Sequence, residues 1–282
     1  MSARSIRRSL LPGLLVVAIA LSVSFLQSSA MATVLALVGG RELVPDPPDP
    51  SAPFNACSVS GFIGSDTTWS PATCDPYIVT GSIIVQTGAT LTIQPGTRVK
   101  FDSQKALTVQ GTLVARGTAA SPITFTSNVA NPAKGDWGYI HFTDTSIDAT
   151  FDGDGNYTGG SALQYVIVEY AGGSSVSDNA AVRVDASSPY LDHNTIRKNK
   201  TTGINVANSG RPRISANAIS DNGISGSVSA SGIWVITAAA AGMLIQNNNI
   251  SDNTDFGIWV YVNSGSGDTL TKIGRASCRE RV

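Results

Sequence analysis

The sequence predicts an all-β fold, a right-handed, single-stranded parallel β-helix built as a solenoid of short strands. Three observations carry this: an internal echo near 23 residues, short apolar runs of period two separated by Gly, Asn and Ser, and no long 3.6-residue apolar period between Cys57 and Lys272. The echo is clearest in three segments of pattern Asn-x-Ile-x-x-Asn, at 194–199, 217–222 and 248–253. Each has an aliphatic residue three positions before its first Asn (Leu191, Ile214, Ile245). Each is followed by a Gly-led strand, at 203–206, 232–235 and 257–260. Ile196 and Ile219 lie 23 residues apart; Ile219 and Ile250 lie 31 apart, the excess falling in Gly223 to Ala230, which reads as an inserted loop. A weaker copy runs from Tyr165 to Tyr170 and continues at Ala181 to Val184, and Pro189 and Pro212 repeat at the same spacing.

Such a period is the length of one solenoid coil. Each coil leaves its strands half paired, and the next coil, about 4.8 Å above, completes the ladder. Inward positions then stack like on like, so Ile196, Ile219 and Ile250 are expected to form one buried column. Asn at the corners is expected to take up left-handed backbone and to hydrogen-bond along its own stack. A leucine-rich horseshoe would need a leucine-dense repeat that is absent, and a β-sandwich needs no fixed echo.

Composition agrees. A hydrophobic content of 42% against 14% charged residues suits a continuous core and not a disordered chain. The formal net charge of −1 conceals basic residues gathered at the ends: Arg4, Arg7 and Arg8 at one, Arg275, Arg279 and Arg281 at the other. The body between them is mildly acidic and has no basic stripe, which argues against nucleic acid as a partner.

Residues 1–32 read as an export signal: a positive start, an apolar run from Leu10 to Leu26, and an Ala30-Met31-Ala32 cleavage site. The competing reading is an uncleaved membrane anchor. Membrane contact is otherwise expected only through an anchor beyond the sequence. Residues 33–56 form a linker whose Pro45 to Pro53 stretch is stiff and extended. Residues 57–272 are the β-helix domain. Cys57 and Cys74 suit a disulfide in an oxidising compartment, with two free thiols as the alternative. The secreted or cell-surface location follows from the same signal. Residues 273–282 fit no repeat and match one reading frame of a common sequencing-library adapter. They are read as adapter-encoded, expected to pack on nothing, with the natural chain continuing past Lys272.

The stretches Pro76 to Phe101, Leu107 to Gly117, Pro122 to Ser127 and Ser161 to Gly173 resemble the opening coils of secreted bacterial right-handed β-helix proteins. That group includes adhesins, surface proteins, carbohydrate-binding modules and polysaccharide lyases or hydrolases. The resemblance therefore implies architecture and not activity.

Enzymes of the group use clustered carboxylates with Ca²⁺ and Arg, or paired Asp with His. Asp185, Asp192 and His193 could form an acid/base set or be plain corner residues. Asp152, Asp154 and Asn156 place oxygen side chains at alternate positions, as calcium loops do, with Asp144 and Asp148 nearby; Gly-Asp-Gly-Asn is equally turn chemistry. No cofactor is otherwise expected. In each Gly-led strand the residue between inward aliphatics should face out, giving a line of Arg183, Asn205, Trp234 and Trp259, continued by His141. The two indoles are expected to be exposed and able to stack on sugar rings, with Asn and Arg bonding hydroxyls or acids. Alternatively the 223–230 loop or missing chain covers them. With no converging acidic cluster, the sequence favours an exported adhesive, surface or carbohydrate-binding scaffold for a polysaccharide or cell-surface glycan. The alternative is a polysaccharide lyase or glycoside hydrolase with catalytic coils partly or wholly beyond the sequence.

Overall fold

A computed structural model describes residues 55–176, 179–224, 230–237, 243–262 and 277–279. The segments expected to be an export signal (1–32) and nearly all of the expected linker (33–56) lie outside these residues. None of the described residues is helical, so among them no helix is long and apolar enough to cross a membrane.

The chain winds as coils of three strands. After β1 (Cys57–Ile63), the first coil has β2 (Thr67–Trp69) and the long β3 (Tyr77–Val85). The second has β4 (Thr90–Ile93), β5 (Arg98–Phe101) and β6 (Leu107–Val109), and the third β7 (Thr112–Arg116), β8 (Ile123–Ser127) and β9 (Ile140–Phe142). A hairpin of β10 (Thr150–Phe151) and β11 (Tyr157–Gly159) precedes the fourth coil, which has β12 (Ala162–Gln164), β13 (Val166–Glu169) and β14 (Ala180–Asp185). The fifth has β15 (Tyr190–Asp192), β16 (Thr195–Arg197) and β17 (Thr202–Ala207). The sixth has β18 (Arg213–Ser215), β19 (Ala218–Ser220) and β20 (Ile233–Thr237), and the last β21 (Leu244–Gln246), β22 (Asn249–Ser251) and β23 (Ile258–Val262).

Stacked strands make three parallel faces. The first is β2-β4-β7-β12-β15-β18-β21. The second runs β3-β5-β8-β13-β16-β19-β22, and the third β3-β6-β9-β14-β17-β20-β23; β3 belongs to both because its two halves pair separately. This is the right-handed parallel β-helix that the repeat predicts.

The interior follows from register. On the second face Val168, Ile196, Ile219 and Ile250 stand opposite one another, the three isoleucines at most 1% exposed. On the third face two columns run in parallel. One is Leu107, Ile140, Val182, Ile204 and Ile233; the other is Val109, Phe142, Val184, Val206 and Val235. Like side chains at strand spacing bury a continuous apolar stripe, which is the main source of stability in such a stack.

The Asn pattern builds two internal ladders. Asn194 N–H donates to Asn217 Oδ1 and Asn217 N–H to Asn248 Oδ1, both at 2.9 Å. The second ladder links Asn199, Asn222 and Asn253 in the same way. Each ladder amide also donates to a carbonyl of a neighbouring coil, such as Asn217 Nδ2 to Leu191 O and Asn222 Nδ2 to Ile196 O, both at 3.0 Å. The left-handed residues are not these asparagines, which corrects the expectation. They are the residues just before: His193, Ala216 and Asn247 at one bend, Lys198, Asp221 and Asp252 at the other, with φ between 53° and 56°. One left-handed residue turns the chain and frees the following Asn to point inward, where its amide replaces strand hydrogen bonds lost at the bend.

Close approach of coils explains the leading glycines. A Cβ on Gly232 would sit 2.7 Å from Gly257 O and 2.6 Å from Ile250 Cγ2. The amino-terminal coils are filled differently. Trp137, wholly buried, stacks on Phe101 at 4.1 Å and donates its Nε1–H to Glu169 O at 2.8 Å. Cys57 and Cys74 form a disulfide, and Arg98 holds Asp75 by two hydrogen bonds of 2.8 and 3.0 Å.

The expectation that the tail packs on nothing is corrected at three residues. The backbone of β24 (Ser277–Arg279) pairs in parallel with β22, Cys278 standing opposite Ile250. An open sheet edge offers unpaired amides and carbonyls to any extended segment that reaches it. Three residues extend one face and do not complete a coil.

Candidate functional site

Strand register sets one line of outward residues on the third face. Thr108, His141, Arg183, Asn205, Trp234 and Trp259 stand opposite one another, coil by coil. Alternation requires this, because each is flanked by the two inward columns.

The indoles of Trp234 and Trp259 lie 5.0 Å apart with 5° between their planes. At that separation the rings overlap face to face, so each spends one π face on the other. Ring edges, and at most the far face of Trp259, remain for a ligand. Phe256, 54% exposed, leans toward Trp259 at 5.8 Å. Both indoles are half-buried and Asn205 is only 1% exposed. These values correct the expectation of two exposed rings continued by an accessible Asn: a short side chain between long neighbours sinks below them. Loop residues 225–229 lie outside the described residues, so their role as cover is not described.

The polar content of the line is distinctive. Among the described residues, no hydrogen-bond partner reaches His141 Nε2, Asn205 Nδ2 or Trp234 Nε1, although all three atoms are buried. A buried polar atom left without a hydrogen bond costs about 1–3 kcal/mol, and three on one line of outward positions are unusual for a surface built only to be inert. Arg183 lies over the Tyr139 ring at 5.1 Å, and Tyr139 meets His141 edge-on at 5.9 Å. His141 Nε2 is 3.8 Å from Asp185 Oδ2. Burial, aided by Arg183 and opposed by Asp185, pushes the His141 pKa down to about 4, so the ring is neutral at pH 7.

The set of Asp185, Asp192 and His193 does not assemble. Asp185 ends β14 on the third face, beside His141 and accepting from Asn208 Nδ2. Asp192 ends β15 on the first face and bonds His193 Nδ1 at 2.7 Å. Two separate His–Asp pairs replace the single trio, because Asp185 on β14 belongs to the third face and Asp192 on β15 to the first. Burial of Asp192 opposes its ionisation, but hydrogen bonds from Ser215, His193 and Gln164 outweigh it and hold the carboxyl below its ordinary range.

The Asp152 to Asn156 stretch is the tip of the β10–β11 hairpin. Asp152 Oδ1 accepts from the N–H groups of Asp154 and Asn156, and Oδ2 from Asn156 Nδ2. Both carboxylate oxygens thus close the turn. Among the described residues no group of three or more His, Cys, Asp or Glu side chains converges as a metal site. Arg213 lies over Phe151 at 3.9 Å and Arg116 over Tyr157 at 4.7 Å, so two cations clamp the hairpin to the solenoid.

Tyr139 is not singled out from the sequence, and Asp185 is grouped there with Asp192 and His193 and not with His141. The signal is there: Tyr139 and Asp185 lie two residues from His141 and Arg183 respectively, and a period of two puts them on the same outward surface.

Two family models match the chain. One, described as a pectate-lyase-like beta helix domain, covers residues 61–183; the other, a right-handed beta helix region, covers residues 152–273. The protein is therefore a right-handed parallel β-helix repeat protein. No curated protein and no solved structure matches it.

Proposed function

We propose that this protein is an exported, non-catalytic β-helix scaffold that binds polysaccharide, as a surface or adhesive protein does, along the line from His141 to Trp259. The observation that supports the reading is the set of buried polar atoms with no hydrogen-bond partner among the described residues at His141, Asn205 and Trp234, on the third, fifth and sixth coils of one line. A polymer lying along the solenoid axis offers a hydroxyl to each coil, satisfying every position with one repeating ligand. The indoles contribute edges and one terminal face, so stacking is shared with hydrogen bonding.

The test is affinity electrophoresis in gels containing plant and bacterial polysaccharides, comparing wild type with the Trp234→Ala/Trp259→Ala double variant. Loss of the indoles is expected to weaken retention by about 1–3 kcal/mol, on the scale of ring stacking measured with nucleobases. Equal retention of both proteins rejects the reading. A polysaccharide lyase or hydrolase is the second reading, favoured by Arg183, His141 and Asp185 meeting on neighbouring coils. Release of new reducing ends, abolished by Arg183→Ala, would select it.

A further inference from the structure

At the bend between the first and second faces, a shallow pocket of about 170 Å³ opens beside β13 and β16. Its lining includes Thr118, Pro122, Tyr165, Ile167, His193 and Thr195. Tyr165 and His193 occupy the same bend position in successive coils, both with positive φ, and their rings stack at 4.8 Å with 24° between planes. In the next two coils that position holds Ala216 and Asn247, so the ring stack is confined to the pocket.

His193 is held with unusual care for a residue whose side chain is 47% exposed. Its Nδ1 is 2.7 Å from Asp192 Oδ2, and Asp192, itself 4% exposed, is fixed by Ser215 Oγ at 2.7 Å and Gln164 Nε2 at 2.9 Å. A carboxylate so placed fixes the proton on Nδ1 in the neutral ring, leaving Nε2 as a lone-pair acceptor. Thr118 and Thr195 supply hydroxyls, Pro122 and Ile167 supply apolar wall, and no Lys, Arg, Asp or Glu lines the pocket. An acceptor nitrogen, two hydroxyls, flat rings and no fixed charge suit a neutral ring bearing hydroxyl groups.

We infer that this pocket is a second binding site, distinct from the line on the third face, that takes one neutral hexose unit, with a ligand hydroxyl donating to His193 Nε2. Its volume is on the scale of one sugar ring. A site at the far bend gives the scaffold a contact for a branch or chain end that the long line of the third face does not reach.

The test is NMR titration of the intact protein with the methyl glycosides of glucose, galactose and mannose, following the His193 and Tyr165 ring protons. At least one glycoside is expected to shift both in a saturable way. His193→Ala should abolish saturation; Ala is the native residue at this bend one coil later, and the variant is expected to fold. Thr118→Val, outside the core, should weaken binding at least threefold. The Trp234→Ala/Trp259→Ala variant should bind these glycosides as wild type does, which separates this site from the line on the third face. No saturable shift with any of the three overturns the inference. So does unchanged binding by His193→Ala, or equal or tighter binding of methyl glucuronide or phenol.

Discussion

The amino-terminal and carboxy-terminal coils solve one packing problem in two ways. In the second and third coils large rings stand among the inward aliphatics: Phe101 lies 6.3 Å from Phe125 and stacks on Trp137, and Phe142 is wholly buried. In the fifth to seventh coils the inward columns are Ile and Val, and the bends are held by Asn ladders. Outward residues change in step, from Thr108 near one end to Trp234 and Trp259 near the other. In the coils with rings the bends are closed by backbone hydrogen bonds, such as Gly96 N–H to Ser121 O and Gly117 N–H to Gln164 O. A small aliphatic interior leaves the bend backbone unpaired, and an inward Asn must satisfy it.

Filling by rings is broken most severely by Phe101→Ala, which removes a wholly buried ring and the stacking partner of Trp137. A loss of about 3–5 kcal/mol is expected in denaturant melts. Ile219→Ala in the aliphatic half should cost less, about 2–4 kcal/mol. If the two costs reverse, the contrast between the halves is wrong.

The next effect depends on pH. His141 has a folded pKa of about 4 against an ordinary value of 6.5. Between those values the unfolded chain binds more protons than the folded one, so stability falls as pH drops from 6.5 to 4 and is fully retained above 6.5. The loss over that window is about 3 kcal/mol, each pKa unit carrying about 1.4 kcal/mol. His141→Gln should flatten the slope between pH 6.5 and 4 in thermal melts; an unchanged slope would remove His141 as its source.

Smaller again is Asn217→Ala. It removes the acceptor of Asn194 N–H and the donor to Leu191 O and Asn248 Oδ1. A loss of about 2–3 kcal/mol is expected, with faster amide exchange at Asn194. Thr108→Ala on the outward surface should stay within about 0.5 kcal/mol.

The same division governs what could be read from the sequence. Ile196, Ile219 and Ile250 announce their column because each sits inside a repeated Asn pattern, and that pattern exists because the aliphatic coils need it. Period-two alternation likewise puts Arg183, Asn205, Trp234 and Trp259 on one line. The aromatic coils have no such punctuation, so the inward turn of Trp137 from a connecting loop carries no periodic signal. Left-handed residues were misplaced by one because Asn is favoured both at positive φ and as a bend amide, and only coordinates separate the two roles. How far a side chain sinks between its neighbours, as Asn205 does, depends on three coils at once and leaves no local trace.

The most direct test of the line on the third face is Asn205→Ala, with polysaccharide affinity and thermal stability measured on the same protein. Asn205 Nδ2 is buried and without a partner among the described residues. Removing a donor that finds no acceptor in the free protein should leave the melting temperature unchanged or raised, while polysaccharide binding weakens by about 1–2 kcal/mol. A lowered melting temperature with unchanged binding would contradict the reading, making Asn205 a structural residue and the line a wall of the solenoid.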